Sequence, residues 1–382
     1  MRIGIITYWN SDDNYGQQLQ CFSLQRYLRN QGHDAFLIRY SPKERTYTFL
    51  DKVKGLTLRN IWDKLTGKTE KLLREQNSII NVKRQFESFR QDNLSMTERI
   101  YNSIDELREN PPMADMYITG SDQVWHDSYN SPNIAGMFLA FGDERAKRIS
   151  YGASIGRRIK DEEKPLMKHW LDKFNAISVR EPSAKDVCEN LGFNDVQIVL
   201  DPTLILTVSD FTSLSDATEL NDDAPFLFVY HINIRTQKEL YWDKIEKYIR
   251  DKGLTVKSVS SSGYLAARQL VPIGNNIPAT VPEWLSLIQK SECVITTSFH
   301  GVVFAIKMHK PFLAILLTNE NSKANDRIVT LLKICGLEQR ILNPNIDVTE
   351  LMDEPIDWDD VERNLLPFQE KSQDFLRKAI EL

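Results

Sequence analysis

Short apolar runs, each followed by a polar or glycine-bearing turn and then by apolar positions at helical spacing, recur along this chain. Ile3 to Tyr8 reads as a first strand and Trp9 to Gly16 as a polar, turn-rich loop. Gln17 to Gln31 reads as a helix whose apolar positions are Leu19, Phe22, Leu24, Tyr27 and Leu28, with Gly32 as its stop. Asp34 to Tyr40 is the next strand. This βαβ opening predicts a parallel sheet with helices on its faces. The rhythm returns at Met116–Thr119, Arg148–Tyr151, Ala176–Val179 and Val196–Leu200, and a linker is expected after Asp201-Pro202. Phe226–Ile232 starts a second α/β unit. Its helix is predicted over Gln237–Lys252, stopped by Gly253, and its further strands near Thr255–Ser260, Cys293–Thr297 and Phe312–Leu316. A last helix is predicted over Pro367–Ile380.

At 382 residues the chain suits two cores rather than one. The predicted class is α/β, with two Rossmann-like doubly wound domains facing across a cleft. The first is expected over residues 1–204 and the second over 205–346, with a tail and helix over 347–382. The cleft between the two sheet edges is the default site. Residues 43–90 interrupt the rhythm. Leu58, Ile61, Trp62 and Leu65 fall at helical spacing there, and 12 Lys or Arg face 6 Asp or Glu, a surplus of +6. That pattern reads as a solvated helical insertion on the first domain. A basic amphipathic helix is also compatible with peripheral contact to an anionic membrane.

Composition narrows the classes further. Hydrophobic residues are 41% and charged residues 26%, ordinary for a globular chain, and the net charge of −5 argues against a dedicated nucleic-acid binder. No stretch approaches the ~20 apolar residues of a membrane span. The N-terminus reads as a strand and not as a signal peptide. Cys21, Cys188, Cys293 and Cys335 are far apart with no CxxC pair, so no zinc site or disulfide framework is expected. They read as core thiols of a protein in a reducing cytosol.

Four strand ends carry candidate chemistry. Ser298-Phe299-His300-Gly301 follows an apolar strand and precedes a helix predicted from Val302 to His309. A titratable imidazole would then sit at the carboxyl edge of a sheet, beside helix N–H groups that favour an anion. Asn14-Tyr15-Gly16 follows the first strand and allows close backbone approach, but it has neither the GxGxxG nor the GKS/T pattern. Gly120-Ser121-Asp122-Gln123-Val124-Trp125 gathers small, acidic, amide and aromatic groups suited to hydroxyl recognition. Trp125 could stack on a sugar or fill the core, and the neighbouring His126 reads as an incidental surface residue. Arg180 ends the strand before Glu181-Pro182-Ser183, a place suited to bidentate binding of carboxylate or phosphate, with a capping or Glu181-pairing role as the structural alternative.

Taken in order, these stretches, together with Ser178-Val179-Arg180-Glu181, Ser183 and Asp201-Pro202-Thr203, resemble the polysaccharide pyruvyl transferase family from near residue 1 to about residue 340. The resemblance implies a GT-B-like fold. It also implies transfer of pyruvyl from phosphoenolpyruvate to two hydroxyls of a sugar in capsular or exopolysaccharide biosynthesis, giving a cyclic ketal and phosphate. His300 and Arg180 carry over as catalytic residues. Asn14, Tyr15, Gly16, Ser121, Asp122, Gln123, Trp125, Ser298, Gly301 and Arg327 carry over as the substrate-binding set. No cofactor or metal is expected beyond the phosphoenolpyruvate donor. The acceptor implied is a sugar or lipid-linked oligosaccharide, and the location implied is cytoplasmic, extending to the inner membrane face. Family members often have Arg-Leu-His where this chain has Ser298-Phe299-His300, so the anion-binding share of the missing arginine passes to Arg180 and to Arg327 or Lys307. Two other readings remain: a GT-B glycosyltransferase using a nucleotide sugar, and a non-catalytic carbohydrate-binding protein.

Overall fold

The computed structural model describes residues 1–42, 80–126, 131, 133–215, 224–234, 236–261, 270–271, 275–318 and 322–381. Most of the basic 43–90 segment therefore lies outside the described residues. Two parallel sheets organise the rest. The first contains β1 (Arg2–Ile6), β2 (Asp34–Leu37), β3 (Met116–Thr119), β4 (Lys147–Ala153), β5 (Ala176–Val179) and β6 (Val196–Ile198), in the order β2-β1-β3-β4-β5-β6. The second contains β7 (Phe226–His231), β8 (Thr255–Ser260), β9 (Asn275–Asn276), β10 (Cys293–Thr296) and β11 (Phe312–Ala314), in the order β11-β10-β7-β8-β9. β1, β3, β7 and β10 are buried along almost their whole length, as strands covered by helices on both faces must be. The α/β class with two parallel sheets agrees with the expectation from the hydrophobic pattern.

Seven helices matter below: α1 (Tyr15–Asn30), α2 (Pro182–Asn190), α3 (Pro202–Ile205), α4 (Val281–Lys290), α5 (Phe299–Lys307), α6 (Asn325–Cys335) and α7 (Trp358–Glu381). α1 starts at Tyr15 because the Asn14 side chain accepts from the Gln17 N–H at 3.1 Å, satisfying one of the orphan donors of the first turn. α1 is unusual in burying Gln17, Gln18, Gln20 and Gln25. Their amides hold neighbouring backbone: Gln18 donates to the Trp9 carbonyl at 2.8 Å, Gln20 to the Tyr8 carbonyl at 3.2 Å and Gln25 to the Ser95 carbonyl at 2.7 Å. The polar loop after β1 is thus pinned to the helix that follows it.

A continuous apolar core joins the two sheets. Tyr15 stacks on Trp284 of α4 (centroids 5.4 Å apart) and meets Tyr230 of β7 edge-on, and its hydroxyl donates to the Ala279 carbonyl at 2.6 Å. The last helix then crosses back to the first sheet. Ser372 Oγ accepts from the Leu200 N–H at 2.9 Å, Gln369 donates to the Leu204 carbonyl at 2.8 Å, and Phe375 packs near Tyr151.

Two helices differ from the pattern reading. The helix predicted over Gln237–Lys252 is a 3₁₀ turn (Gln237–Leu240) followed by an α-helix from Trp242, with Tyr241 left-handed at φ 53°. Leu240 and Trp242 are both buried. In one continuous helix they would point about 200° apart, so the break lets both reach the core. The final helix begins at Trp358 instead of Pro367 and runs through that proline. Val361 and Leu365 extend the buried stripe of Phe375, Leu376 and Ala379 by two turns on the N-terminal side. Burying them outweighs the one backbone hydrogen bond that Pro367 cannot make.

Candidate active site

In each sheet the strand order reverses once, between β1 and β3 and between β7 and β10. At such a switch point the flanking loops part and leave a crevice at the carboxyl ends of the strands. The loops after all four of these strands meet in one pocket of about 190 Å³. It is lined by Asn14 after β1, Asp122 and Gln123 after β3, Asn233 after β7, Ser298 and His300 after β10, and Arg327 of α6.

The centre of the site is His300. Its ring lies directly on the backbone of Gly16: a Cβ placed there would be 2.0 Å from His300 Nδ1. Any other residue at position 16 would occupy the space of the imidazole, and this is why glycine stands there. His300 Nε2 lies 3.7 Å from Asp201 Oδ2, across from the end of the first sheet. Asp201 is buried and fully engaged. Its Oδ2 accepts from Arg180 Nη1 at 2.6 Å and from Ser121 Oγ at 2.9 Å, and its Oδ1 accepts from the Thr203 N–H and hydroxyl as the cap of α3. Burial pushes its carboxyl pKa up. The His300 ring, the Arg180 guanidinium and the Thr203 hydroxyl more than offset this and hold it well below the usual carboxylate range. Asp201 is therefore a fixed anion beside the imidazole.

Two arginines approach from opposite sides of the cleft. Arg180 and Arg327 lie 5.0 and 5.7 Å from the ring centroid of Phe299. Arg180 keeps Nε and Nη2 buried without hydrogen-bond partners among the described residues. Arg327 Nη1 is 3.9 Å from Asp122 Oδ1, and burial together with the Arg180 charge lowers its pKa to about 10, still a cation at neutral pH. Asp122 is held at φ 85°, a conformation that costs a non-glycine residue free energy and is common where a side chain is aimed into a site. Gly156, at φ 62°, leaves room for the Gln123 amide, which a Cβ would meet at 2.1 Å. α5 has Ser298 at its cap position without a side-chain capping bond, so its first N–H groups remain available to an anion.

The structure separates the sequence candidates into two groups. Asn14, Asp122, Gln123, Ser298, His300 and Arg327 line the pocket. Gly16, Ser121 and Arg180 stand behind it and position His300 and Asp201. Tyr15, Trp125 and Gly301 serve packing. Tyr15 joins the two sheets. Trp125 is fully buried and stacks on Phe138 at 5.1 Å, because its indole lies among the apolar residues beneath the β3 turn. Gly301 lets α5 close on β10, since a Cβ there would meet Thr296 Oγ1 at 2.2 Å. Lys307, at the far end of α5, donates to the Leu206 carbonyl at 2.7 Å and takes no part in the pocket. Three residues escape the sequence reading. Asp201 enters the sequence reading only within the Asp201-Pro202-Thr203 stretch and before an expected linker, with no role in the site given to it. His126 lines the pocket and is not incidental, and Asn233 gives no local signal. Among the described residues, no group of three or more His, Cys, Asp or Glu could hold a metal ion, and no helix is long and apolar enough to cross a membrane.

Solved structures similar over the whole chain include UDP-GlcNAc 2-epimerase from Methanocaldococcus jannaschii, at 12% identity and TM-score 0.49, covering 100% of both chains. A putative UDP-N-acetylglucosamine 2-epimerase from Listeria monocytogenes has 11% identity and TM-score 0.47, covering 99% of this chain and 91% of that one. ADP-heptose lps heptosyltransferase II from E. coli has 12% identity and TM-score 0.40, covering 98% and 100%. At that level the likeness carries no argument about what this chain binds. No curated protein matches the chain. A family model does match, over residues 14–319, a span that runs from the Asn14 cap through His300 and beyond: this chain belongs to the polysaccharide pyruvyl transferase family.

Proposed function

We propose that this chain transfers the pyruvyl group of phosphoenolpyruvate to two hydroxyls of one sugar unit, forming a cyclic ketal and releasing phosphate. The observation that carries the reading is the His300 imidazole, seated on Gly16 with Nε2 3.7 Å from the buried Asp201 carboxylate. A carboxylate facing Nε2 fixes the orientation of an imidazole that lines the pocket, where a histidine can pass protons to and from substrate. Protonation of the donor's methylene carbon by His300 makes the adjacent carbon electrophilic. The two hydroxyls add there in turn, and phosphate leaves. Of the two hydroxyl protons, one ends on the new methyl group and the other on phosphate, so His300 returns to its starting state. General acid–base work of this kind is typically worth ~10²–10⁴ in rate.

The donor carries a carboxylate and a phosphate. Arg327 and the uncapped start of α5 are the groups that face them, with the Arg180 charge directly behind the pocket. Arg180 and Arg327 stand close to Asp122, Asp201 and Glu181, so attraction comes from local donors rather than from net positive charge. The acceptor in this reading is a sugar of a capsular or exopolysaccharide unit, free or lipid-linked, met in the cytoplasm or at the inner membrane face.

Calorimetry with phosphoenolpyruvate, followed by assay of phosphate release, tests the reading. Wild type should bind the donor, Arg180→Ala should bind it at least tenfold more weakly, and His300→Ala should bind it but release phosphate at least 10²-fold more slowly. Binding of UDP- or GDP-sugars in place of phosphoenolpyruvate would move the assignment to a nucleotide-sugar glycosyltransferase. Saccharide binding with no donor turnover would leave a carbohydrate-binding protein.

A further inference from the structure

His126 is exposed, yet it is held at three points. Its N–H donates to the Gln123 carbonyl at 3.0 Å, and its own carbonyl accepts from Arg157 Nε. Arg157 is in turn clamped at 2.7 and 2.9 Å to Glu163, a buried carboxylate. The ring is fixed as well: Nδ1 lies 3.1 Å from the Ile155 carbonyl oxygen. Ile155 is itself anchored. Its N–H donates at 3.1 Å to Oε1 of the buried Glu181, which also accepts from the Ser154 hydroxyl at 2.7 Å. The next residue, Gly156, lines both the His300 pocket and a neighbouring cavity of about 340 Å³ that Glu181 and Arg158 share.

The bond to Ile155 decides the state of the ring. A carbonyl oxygen only accepts, so Nδ1 of His126 carries the proton. In the neutral imidazole Nε2 is then an acceptor with a lone pair, and it makes no hydrogen bond among the described residues. His126 lines the same pocket as His300, but from the first unit, where His300 comes from the second. The two imidazoles therefore differ in surroundings: His300 faces the Asp201 carboxylate, and His126 a neutral carbonyl. Adding a hydroxyl across the donor's double bond needs an acid and a base together. A histidine in its acid form has both ring nitrogens protonated and no lone pair to offer.

We infer that His126 is a second catalytic residue, the base that takes the proton of the first sugar hydroxyl to add. The inference rests on the pyruvyl-transfer reading. In the first step His300 gives its proton to the methylene carbon, and the double-bond electrons form the new C–H bond. The first hydroxyl oxygen bonds to the adjacent carbon, and its proton passes to Nε2 of His126. In the second step the bond from that carbon to the phosphate oxygen breaks. The electron pair leaves with phosphate, which also takes the proton from Nε2. The second hydroxyl then adds to the same carbon and returns a proton to His300. Both histidines end as they began.

Two measurements on the full chain test this. Nitrogen NMR of histidine-labelled protein reads the tautomer, the His126 signal being assigned by its loss in His126→Asn. Neutral His126 should carry its proton on Nδ1; a proton on Nε2 would overturn the assignment. Phosphate release from phosphoenolpyruvate is then followed with methyl glycosides of galactose, glucose and mannose as acceptors. His126→Asn can keep the bond to the Ile155 carbonyl through its amide but has no base to offer. Its turnover should fall at least 10²-fold, with calorimetric affinity for phosphoenolpyruvate within about threefold of wild type. His126→Ala should fall as far and recover at least about tenfold in added imidazole, a rescue that a positioning role would not show. Near wild-type turnover in His126→Asn, or no rescue of His126→Ala, would overturn the assignment and leave the pyruvyl reading standing. A wild-type chain that neither binds nor consumes phosphoenolpyruvate would overturn that reading, and the role of His126 with it. If the donor binds and none of the glycosides reacts, the tautomer alone decides.

Discussion

At the scale of single residues, the site depends on one glycine and one histidine that are remote in sequence. Position 16 lies in the first turn of α1, where alanine would ordinarily be favoured over glycine by about 1 kcal/mol. The imidazole of His300 occupies the space a Cβ would need. Gly16→Ala is therefore expected to leave the far-ultraviolet circular dichroism spectrum intact but to lower turnover at least 10²-fold, because the ring must move off Asp201. Wild-type turnover in that variant would mean that the seating of the ring is irrelevant to catalysis. A second histidine, His231, ends β7 fully buried, and neither of its ring nitrogens has a hydrogen-bond partner among the described residues. Burial lowers its pKa to about 4 from 6.5. Between those values the unfolded chain binds the proton and the folded chain does not, so stability falls as pH drops from 6.5 toward 4, by up to about 3 kcal/mol. Denaturant unfolding of wild type and His231→Phe across that window should show a shallower pH dependence in the variant. The glycine after the first strand and the histidine in the first turn of α5 are both visible in the sequence as unusual residues near strand ends. Their contact with each other is not, because no local pattern encodes which two loops meet.

At the scale of elements, the hydrophobic period located the strands well and the helix ends less well. β3 and β5 stand where their apolar runs predicted, since three or four buried residues in a row suit a covered strand. α5 starts three residues earlier than its apolar run, at Phe299 and not Val302. Phe299 and His300 are both buried, facing Arg180 and Asp201 of the first unit. α7 shows the reverse problem, a proline read as a start where the helix runs through. Pro367 is exposed and removes one intrahelical bond. Pro367→Ala should raise stability by about 1–2 kcal/mol, the gain in the helix interior less the freedom restored to the unfolded chain. A higher urea midpoint at unchanged slope would show this; a lower midpoint would mean that the proline is needed for the packing of α7 on Leu200 and Tyr151.

At the scale of the whole molecule, two parallel sheets present their switch points to each other, and α7 returns from the second unit to cover the end of the first. The site exists only in that arrangement. His300 and Arg327 come from one unit, and Asp201, Arg180 and Asp122 from the other. The order of motifs along the chain, read by itself, determined the α/β alternation and placed Asn14, Asp122, Arg180 and His300 each after a strand. These are consequences of local periodicity and turn chemistry, which act over a few residues. Only the tertiary structure decided that Asp201 is the partner of His300, that Trp125 and Gly301 serve packing, and that Glu181 and Arg158 share a cavity beside the central pocket. Those outcomes depend on how two covered sheets face one another, and that geometry is settled by the apolar surface around Tyr15 and Trp284, which no single segment of the chain contains.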